Sequence, residues 1–232
     1  MATAQLRLPA ADRKEQIIAV ATELFAKQGF QGTTTRQISE RAGVTEALIF
    51  RHFASKEELY WAVIERKTSI TGPAERMRES LQKPGSDLEI LASVAEEILE
   101  RRAADQTLSR LLLYSALENH RLSQRFFRIY AAECYDVLAD YIRQRIDAGA
   151  FRPVDPVLAA RGFMGMIIYH SWVQELFGGK HYQDFSVKQV SSTLCEVWLR
   201  GMVRNPQSAG KNRRSKSRNR RTQPNGILKS TS

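Results

Sequence analysis

Residues 33–56 read TTTRQISERAGVTEALIFRHFASK, and this stretch decides the fold around which the rest of the chain is arranged. Threonine hydroxyls at its start can accept hydrogen bonds from the unpaired N–H groups of a helical first turn, which predicts a short helix. Gly43 can end that helix in a left-handed conformation at little steric cost, and Thr45 can cap a second helix over Glu46–His52. Two short helices around a glycine turn indicate a helix-turn-helix.

This geometry alone leaves two interpretations open. A helix-turn-helix can serve only to fold a small all-helical protein, or its second helix can enter the major groove of DNA. Leu48 and Ile49 are expected to face inward. The side chains left on the outside are of types that favour a DNA-binding role, and they are Glu46, Ala47, Phe50, Arg51 and His52.

A longer stretch, GFQGTTTRQISERAGVTEALIFRHFASKEELYWAV from Gly29 to Val63, resembles the DNA-binding domain of the TetR family of transcriptional repressors. The family pattern runs roughly Gly-aromatic-x-x-Thr-Thr, Ile-Ala, Ala-Gly-Val-Ser, Leu-Tyr-x-His-Phe and Ser-Lys-Glu. The chain departs from it with Ser39 for Ala, Ala47 for Gly and Ile49-Phe50 for Leu-Tyr. The family tyrosine usually donates its hydroxyl to a DNA phosphate, and Phe50 has no hydroxyl to donate.

The resemblance also implies which residues contact DNA. Thr34, Thr35, Arg36 and Lys56 match positions that contact phosphates. The recognition-helix face is matched by Thr45, Glu46, Ala47, Phe50, Arg51 and His52. Arg51 is the best candidate for a base contact, because a guanidinium can bind guanine bidentately in the major groove.

The rest of the chain predicts an all-α protein, with a three-helix N-terminal DNA-binding domain followed by a larger helical ligand-binding and dimerisation domain. Asp12 is expected to cap the first helix, and a single long helix is expected over residues 123–149. The expected divisions are a mobile arm at 1–11, the helix-turn-helix domain at 12–58, the helical body at 59–203 and a disordered basic tail at 204–232.

Two C-terminal helices are more apolar than a monomer requires. Residues 163–169 are hydrophobic nearly all round, and small residues at Ala159, Ala160, Gly162, Gly165 and Ser171 would let another helix approach closely. Together with residues 187–202, this pattern fits the four-helix dimer interface that the resemblance implies. We expect dimerisation rather than burial within one subunit, because one recognition helix reads only a few base pairs and a two-fold operator needs two.

By the same resemblance, the body should enclose a cavity for a small apolar or aromatic effector whose binding releases DNA. Aromatic and apolar side chains with a few polar atoms are typical of such sites. The candidate lining residues are Tyr114, Phe127, Tyr130, Cys134, Phe163, Ile167, His170 and Trp172. Each of them can instead be an ordinary core residue.

The net charge of +10 lies almost wholly in residues 204–232, which hold nine Lys or Arg and no acid. Residues 1–60 hold eight Lys or Arg against seven Asp or Glu, so DNA affinity there must come from where the charges sit. The tail leaves an alternative function open, that of an architectural or non-specific nucleic-acid-binding protein that relies on its basic tail. It can also be an extension with no role.

Other functional classes have little support in the sequence. The two cysteines, Cys134 and Cys195, have no metal-ligand spacing, and we expect neither a cofactor nor a metal. No phosphate loop, nucleophile elbow or carboxylate pair predicts catalysis. No apolar run is long enough for a membrane span. We therefore expect a cytoplasmic homodimer that binds a double-stranded DNA operator and has no membrane partner.

Overall fold

The computed structural model describes residues 10–68, 72–118 and 121–203. Within these ranges the α-helices are α1 (Ala10–Gln28), α2 (Thr35–Ala42), α3 (Glu46–His52), α4 (Lys56–Thr68), α5 (Pro73–Leu81), α6 (Asp87–Ala104), α7 (Thr107–Leu117), α8 (Arg121–Phe126), α9 (Ala132–Asp147), α10 (Pro156–Glu175) and α11 (Val187–Met202). A π-helical segment, Phe127–Ala131, joins α8 to α9, and a 3₁₀ turn, Gly179–His181, precedes α11. No strand forms in these ranges beyond an isolated bridge between Phe151 and Val203, so the predicted all-α class is confirmed.

Two expectations about helix ends and continuity were wrong. Asp12 lies in the first turn of α1 and not at its cap, because α1 already begins at Ala10. The single long helix expected over 123–149 is divided by the π-helical segment, where the hydrogen bonds span one residue more than in an α-helix. Residues 1–9 of the arm predicted at 1–11 lie outside the described residues, as does the basic tail from residue 204. Residues 10 and 11 belong to α1, so the predicted arm extends too far.

The first hydrophobic core is formed by the four helices α1, α2, α3 and α4 together with one face of α7. The Tyr60 ring lies edge-on to Phe25 and Phe30, with centroids 4.8 and 5.4 Å away. The Tyr60 hydroxyl donates a buried hydrogen bond of 2.6 Å to the Leu111 carbonyl oxygen of α7. The helix-turn-helix is therefore fixed to the body through a shared core, since buried aromatic rings contribute large apolar areas.

The second core lies among α5, α6, α9, α10 and α11. The Trp198 ring of α11 packs edge-on against Phe151 and Phe163, at centroid distances of 5.9 and 5.4 Å. Its indole N–H donates to the Ala159 carbonyl oxygen of α10 at 3.2 Å. These contacts hold α10 and α11 in place against α6 and α9.

Candidate DNA-binding surface and ligand cavity

The turn between α2 and α3 is built from short-range hydrogen bonds. Thr34 caps α2 by accepting from the Gln37 N–H at 3.1 Å, and its own N–H donates to Gln37 Oε1 at 2.9 Å. Gly43 has φ of 62°, and the Val44 N–H closes the end of α2 on the Ser39 carbonyl oxygen at 2.9 Å. This pairing is a Schellman motif. Thr45 then caps α3 by accepting from the Leu48 N–H at 3.2 Å. The ends of α2 and α3 and the turn between them are thus encoded by residues close in sequence.

The outer face of α3 carries the side chains predicted for it. Ile49 is buried under the helix, whereas Ala47, Phe50 and Arg51 are exposed. Phe50 shows 48% of its surface to solvent, an unusual exposure for a large aromatic residue. Arg51 has no ion pair among the described residues, so its guanidinium has all its donors available for a ligand.

Two of the predicted DNA contacts are bonded to each other. The Thr35 hydroxyl donates to Glu46 Oε2 at 2.6 Å, across the angle between α2 and α3. The Arg36 side chain is likewise paired with Glu40 at 2.9 Å, one turn along α2, and this pair raises the pKa of Arg36. Each pair must open or share its hydrogen bonds when either member contacts DNA.

Lys56 has a structural position that the sequence did not reveal. Its ammonium group donates to the Thr33 carbonyl oxygen at 2.8 Å and lies 4.1 Å from the centroid of the Phe30 ring. Partial burial lowers the pKa of Lys56. An ammonium has three N–H donors, so one bond to Thr33 leaves donors for a phosphate. The phosphate contact remains a prediction.

A cavity of about 590 Å³ lies in the body, bounded by parts of α4 to α10. Its volume falls within the range of small-molecule sites. Most of its wall is apolar or aromatic, and typical members are Met77, Val94, Leu108, Leu112, Phe126 and Ile168. The cavity reaches the surface beside α10, where Tyr169 lines it and is 62% exposed.

Half of the predicted ligand contacts line this cavity, namely Phe127, Tyr130, Cys134 and Trp172. The other four, Tyr114, Phe163, Ile167 and His170, do not line it, and contact of any of the eight residues with a ligand remains a prediction.

The four residues that do not line the cavity have other surroundings. Phe163 and Ile167 are fully buried in the second core. The Tyr114 hydroxyl points away from the cavity and donates to the Lys27 carbonyl oxygen at 3.1 Å. His170 lines a separate cleft of about 50 Å³ beside Phe185, and burial lowers its pKa.

Sequence reasoning missed a set of charged side chains on one side of the cavity. Four cations and two carboxylates line it, and they are Lys67, Arg76, Arg101, Arg102, Glu97 and Asp105. Lys67 pairs with Asp105 at 2.6 Å, whereas Arg76 and Arg101 both pair with Glu97. The cavity wall therefore has a surplus of two positive charges. A Glu-Arg pair one turn apart on α6 looks like an ordinary solvated helix surface in the sequence, so no signal distinguished it.

One face of α7 is bonded to α1, while an adjacent face lines the cavity. Arg110 Nε donates to the Ala26 carbonyl oxygen at 2.9 Å, one residue before the Lys27 oxygen that accepts from Tyr114. Glu118 follows α7 and accepts from the Gln31 N–H at 3.2 Å. Leu108 and Leu112 of the same helix line the cavity. A displacement of α7 by a bound molecule would therefore be transmitted through these hydrogen bonds to the C-terminal end of α1.

The described residues contain no cluster of three or more His, Cys, Asp or Glu side chains arranged to hold a metal ion. None of their helices combines the length and apolarity that crossing a membrane demands.

Comparison with protein families gives two matches in separate parts of the chain. Residues 17–63 match the family described as "Bacterial regulatory proteins, tetR family". Residues 89–200 match "AefR-like transcriptional repressor, C-terminal domain". Together the two matches span well over half of the chain, and they divide it between the helix-turn-helix and the helical body.

Individual proteins agree with these matches. The chain is 26% identical over 136 residues to the HTH-type transcriptional activator FasR of Mycolicibacterium smegmatis, covering 59% of this chain and 61% of FasR. The transcriptional regulator FadR from Bacillus subtilis, solved in complex with stearoyl-CoA, shares the fold with a TM-score of 0.64 and 24% identity, covering 80% of this chain and 97% of FadR. A SmeT-triclosan complex shares it with a TM-score of 0.60 and 22% identity, covering 84% of this chain and 93% of SmeT. The chain is therefore a member of the TetR family of bacterial transcriptional regulators.

Proposed function

We propose that this protein is a ligand-responsive repressor that binds a palindromic operator as a homodimer and leaves it when a small molecule fills the body cavity. The observation that carries this proposal is the position of α7, which joins the cavity wall to the end of α1. An enzymatic role has no support from the relatives, which are named as regulators. The protein would act in the cytoplasm, where its operator lies.

DNA reading is assigned to the exposed face of α3. Arg51 would read a guanine in the major groove, because its unpaired guanidinium offers parallel donors. Glu46 can accept from a cytosine amine only after it shares or releases the Thr35 hydroxyl. Thr34 and Arg36 would hold the backbone phosphates and set the register of α3.

Dimerisation is assigned to an exposed face of α10 with its neighbour α11. Leu158, Gly162, Gly165 and Tyr169 follow one another at helical spacing, and all four are exposed in the single subunit. A Cβ at Gly162 would meet nothing within 4 Å, which leaves room for another helix to approach, whereas Gly165 and Tyr169 also line the body cavity. Val197 of α11 is also exposed, at 59%. A second copy would cover these apolar groups and present α3 twice.

Release by a ligand would require the cavity to change when it is filled. The ligand must bind one spacing of the two α3 helices better than the other, since equal affinity for both shifts nothing. FadR was solved with stearoyl-CoA and SmeT with triclosan, so proteins of this fold hold small molecules with large apolar parts. The largely apolar wall of the cavity supports an effector of that kind.

The test of DNA recognition is selection of bound DNA from a random pool by the full chain. The expected result is a palindrome with two half-sites about one or two helical turns apart. Recovery of unrelated sequences, or of a single half-site, would contradict the proposal.

The alternative of a non-specific nucleic-acid-binding protein is favoured by one observation, the concentration of nine cations in residues 204–232. Deleting residues 205–232 separates the two functions. A repressor would retain its sequence-specific binding and lose part of its non-specific affinity, with a smaller salt dependence. Loss of all DNA binding would favour the architectural function.

A further inference from the structure

The cavity contains an arginine without a counterion. Arg102 lies in the last turn of α6, lines the cavity and is half-buried. Its Nε donates to the Ser171 hydroxyl at 3.1 Å, and no carboxylate of the described residues pairs with it. Burial lowers the pKa of Arg102, with no acid nearby to oppose this effect. A guanidinium whose Nε is occupied still presents its two Nη groups, which match the two oxygens of a carboxylate.

The other cations of the cavity are already paired. The Lys67 ammonium lies 2.6 Å from an Asp105 oxygen, and Glu97 is shared by Arg76 and Arg101. Among the described residues of the cavity wall, Arg102 is therefore the cation that has no carboxylate partner. Leaving a charge in a desolvated place without a partner is costly, so this arrangement favours an anion supplied by a ligand.

The unpartnered polar atoms on this wall are all donors. Among the described residues, the buried side-chain atoms of the cavity without a hydrogen bond are Trp172 Nε1 and Arg76 Nε. Arg76 Nε lies 3.3 Å from a Glu97 oxygen but is not aligned for a hydrogen bond. Trp172 follows Ser171, the residue that holds Arg102. A ligand that satisfies these two atoms must bring hydrogen-bond acceptors.

The rest of the cavity wall indicates the size and polarity of the remainder of the ligand. It is apolar and aromatic, and the volume of about 590 Å³ is within the range of small-molecule sites. A cationic effector would be repelled by the positive surplus. A neutral hydrocarbon would leave the donors unsatisfied.

We propose that the effector is a carboxylic acid with a long apolar body, whose carboxylate binds Arg102 and the Trp172 N–H while its body lies along the apolar wall. This inference rests on the proposed function, because it takes the cavity to be the effector site.

The test is direct binding of dodecanoic acid and of its methyl ester to the full-length protein, by calorimetry without DNA. The two probes share an apolar chain and differ in charge. The acid is expected to bind at least about tenfold more tightly, the usual order for a charge-assisted hydrogen-bonded pair. Equal affinities, or no binding of either probe, would overturn the inference.

Substitutions test which residues cause the preference for the acid over the ester. Arg102→Met should abolish the preference for the acid while leaving binding of the ester within about threefold, which also shows that the cavity is intact. Trp172→Phe keeps the ring and removes the N–H, and it should weaken acid binding alone by about threefold to tenfold. Arg78→Met is the matched control, since Arg78 pairs with Glu75 outside the cavity. Retained acid preference in Arg102→Met would refute the assignment.

A separate assay distinguishes this inference from the proposed function. If the acid binds through Arg102 but does not release operator DNA, the ligand class stands and ligand-driven release fails. If another compound releases DNA while the acid does not bind, the proposed function stands and the ligand class fails.

Discussion

Phe50→Tyr adds one hydroxyl to a ring on α3 that is 48% exposed. The family tyrosine at this position usually donates to a DNA phosphate, so the variant should bind the operator more tightly than the natural protein. In the free protein the added oxygen would face water and not the core. The free energy of unfolding should therefore change by less than ~0.5 kcal/mol.

The size of the gain follows from the exposure of the ring and the symmetry of the proposed dimer. Because an exposed hydroxyl exchanges a bond to water for a bond to phosphate, the net gain is about 0.5–1.5 kcal/mol per bond. A homodimer presents two such hydroxyls, so the total is about 1–3 kcal/mol. This corresponds to a Kd roughly 5-fold to 150-fold lower.

The assay is fluorescence anisotropy with the selected operator over a series of salt concentrations. A neutral hydroxyl releases no counterion, so the line of log Kd against log salt should be displaced without a change of slope. Phe177→Tyr is the matched control, because Phe177 is 66% exposed and follows α10, outside the helix-turn-helix. A Kd within twofold of the natural protein, or an altered slope, would show that this ring does not face the DNA backbone.

Four further expectations concern single residues. Arg51→Ala should reduce discrimination at one base pair by ~1–3 kcal/mol, measured with singly substituted operators; unchanged selectivity would contradict the base contact. Lys56→Ala should weaken binding to every sequence and reduce the salt slope by about 1, and a preserved slope would leave Lys56 with only its structural contact to Thr33. Tyr60→Phe removes the buried hydroxyl bonded to the Leu111 carbonyl oxygen, so urea unfolding should show a loss of ~1 kcal/mol; an unchanged midpoint would show that this bond adds nothing. Burial raises the pKa of Cys134 to about 11, which disfavours the reactive thiolate. Alkylation of the native protein by iodoacetamide should therefore accelerate about tenfold per pH unit between pH 8 and 10. A rate that does not change with pH in this range would show that the thiol is not buried.

The DNA-reading unit could be predicted because its geometry depends on neighbours in sequence. Thr34, Gly43 and Thr45 each act on backbone groups within five residues, so the caps and the turn follow from residue type alone. The pairing of Thr35 with Glu46 could not be predicted in the same way. It depends on the angle between α2 and α3, which the surrounding core sets.

The cavity was harder to predict because core and cavity positions share one apolar pattern on a helix. Phe163 and Ile167 were expected to line it, but the lining residues of α10 include Met164 and Ile168, one position later in each case. One residue is about 100° of rotation around the helix axis. The rotation of α10 is fixed by its contacts with α9, α6 and α11, which no local pattern reports.

Release of DNA by a ligand requires a free-energy difference between two conformations, and the contacts between α7 and α1 can supply only part of it. The three exposed hydrogen bonds made by Arg110, Tyr114 and Glu118 contribute about 0.5–1.5 kcal/mol each, which is about 4.5 kcal/mol in all at the upper end. Reversing a conformational equilibrium from 1:99 to 99:1 requires a difference of about 5.5 kcal/mol. Those bonds alone are therefore too weak to give a tight switch. The buried contact between Tyr60 and Leu111 must also differ between the two states, so α7 has to shift relative to the first core.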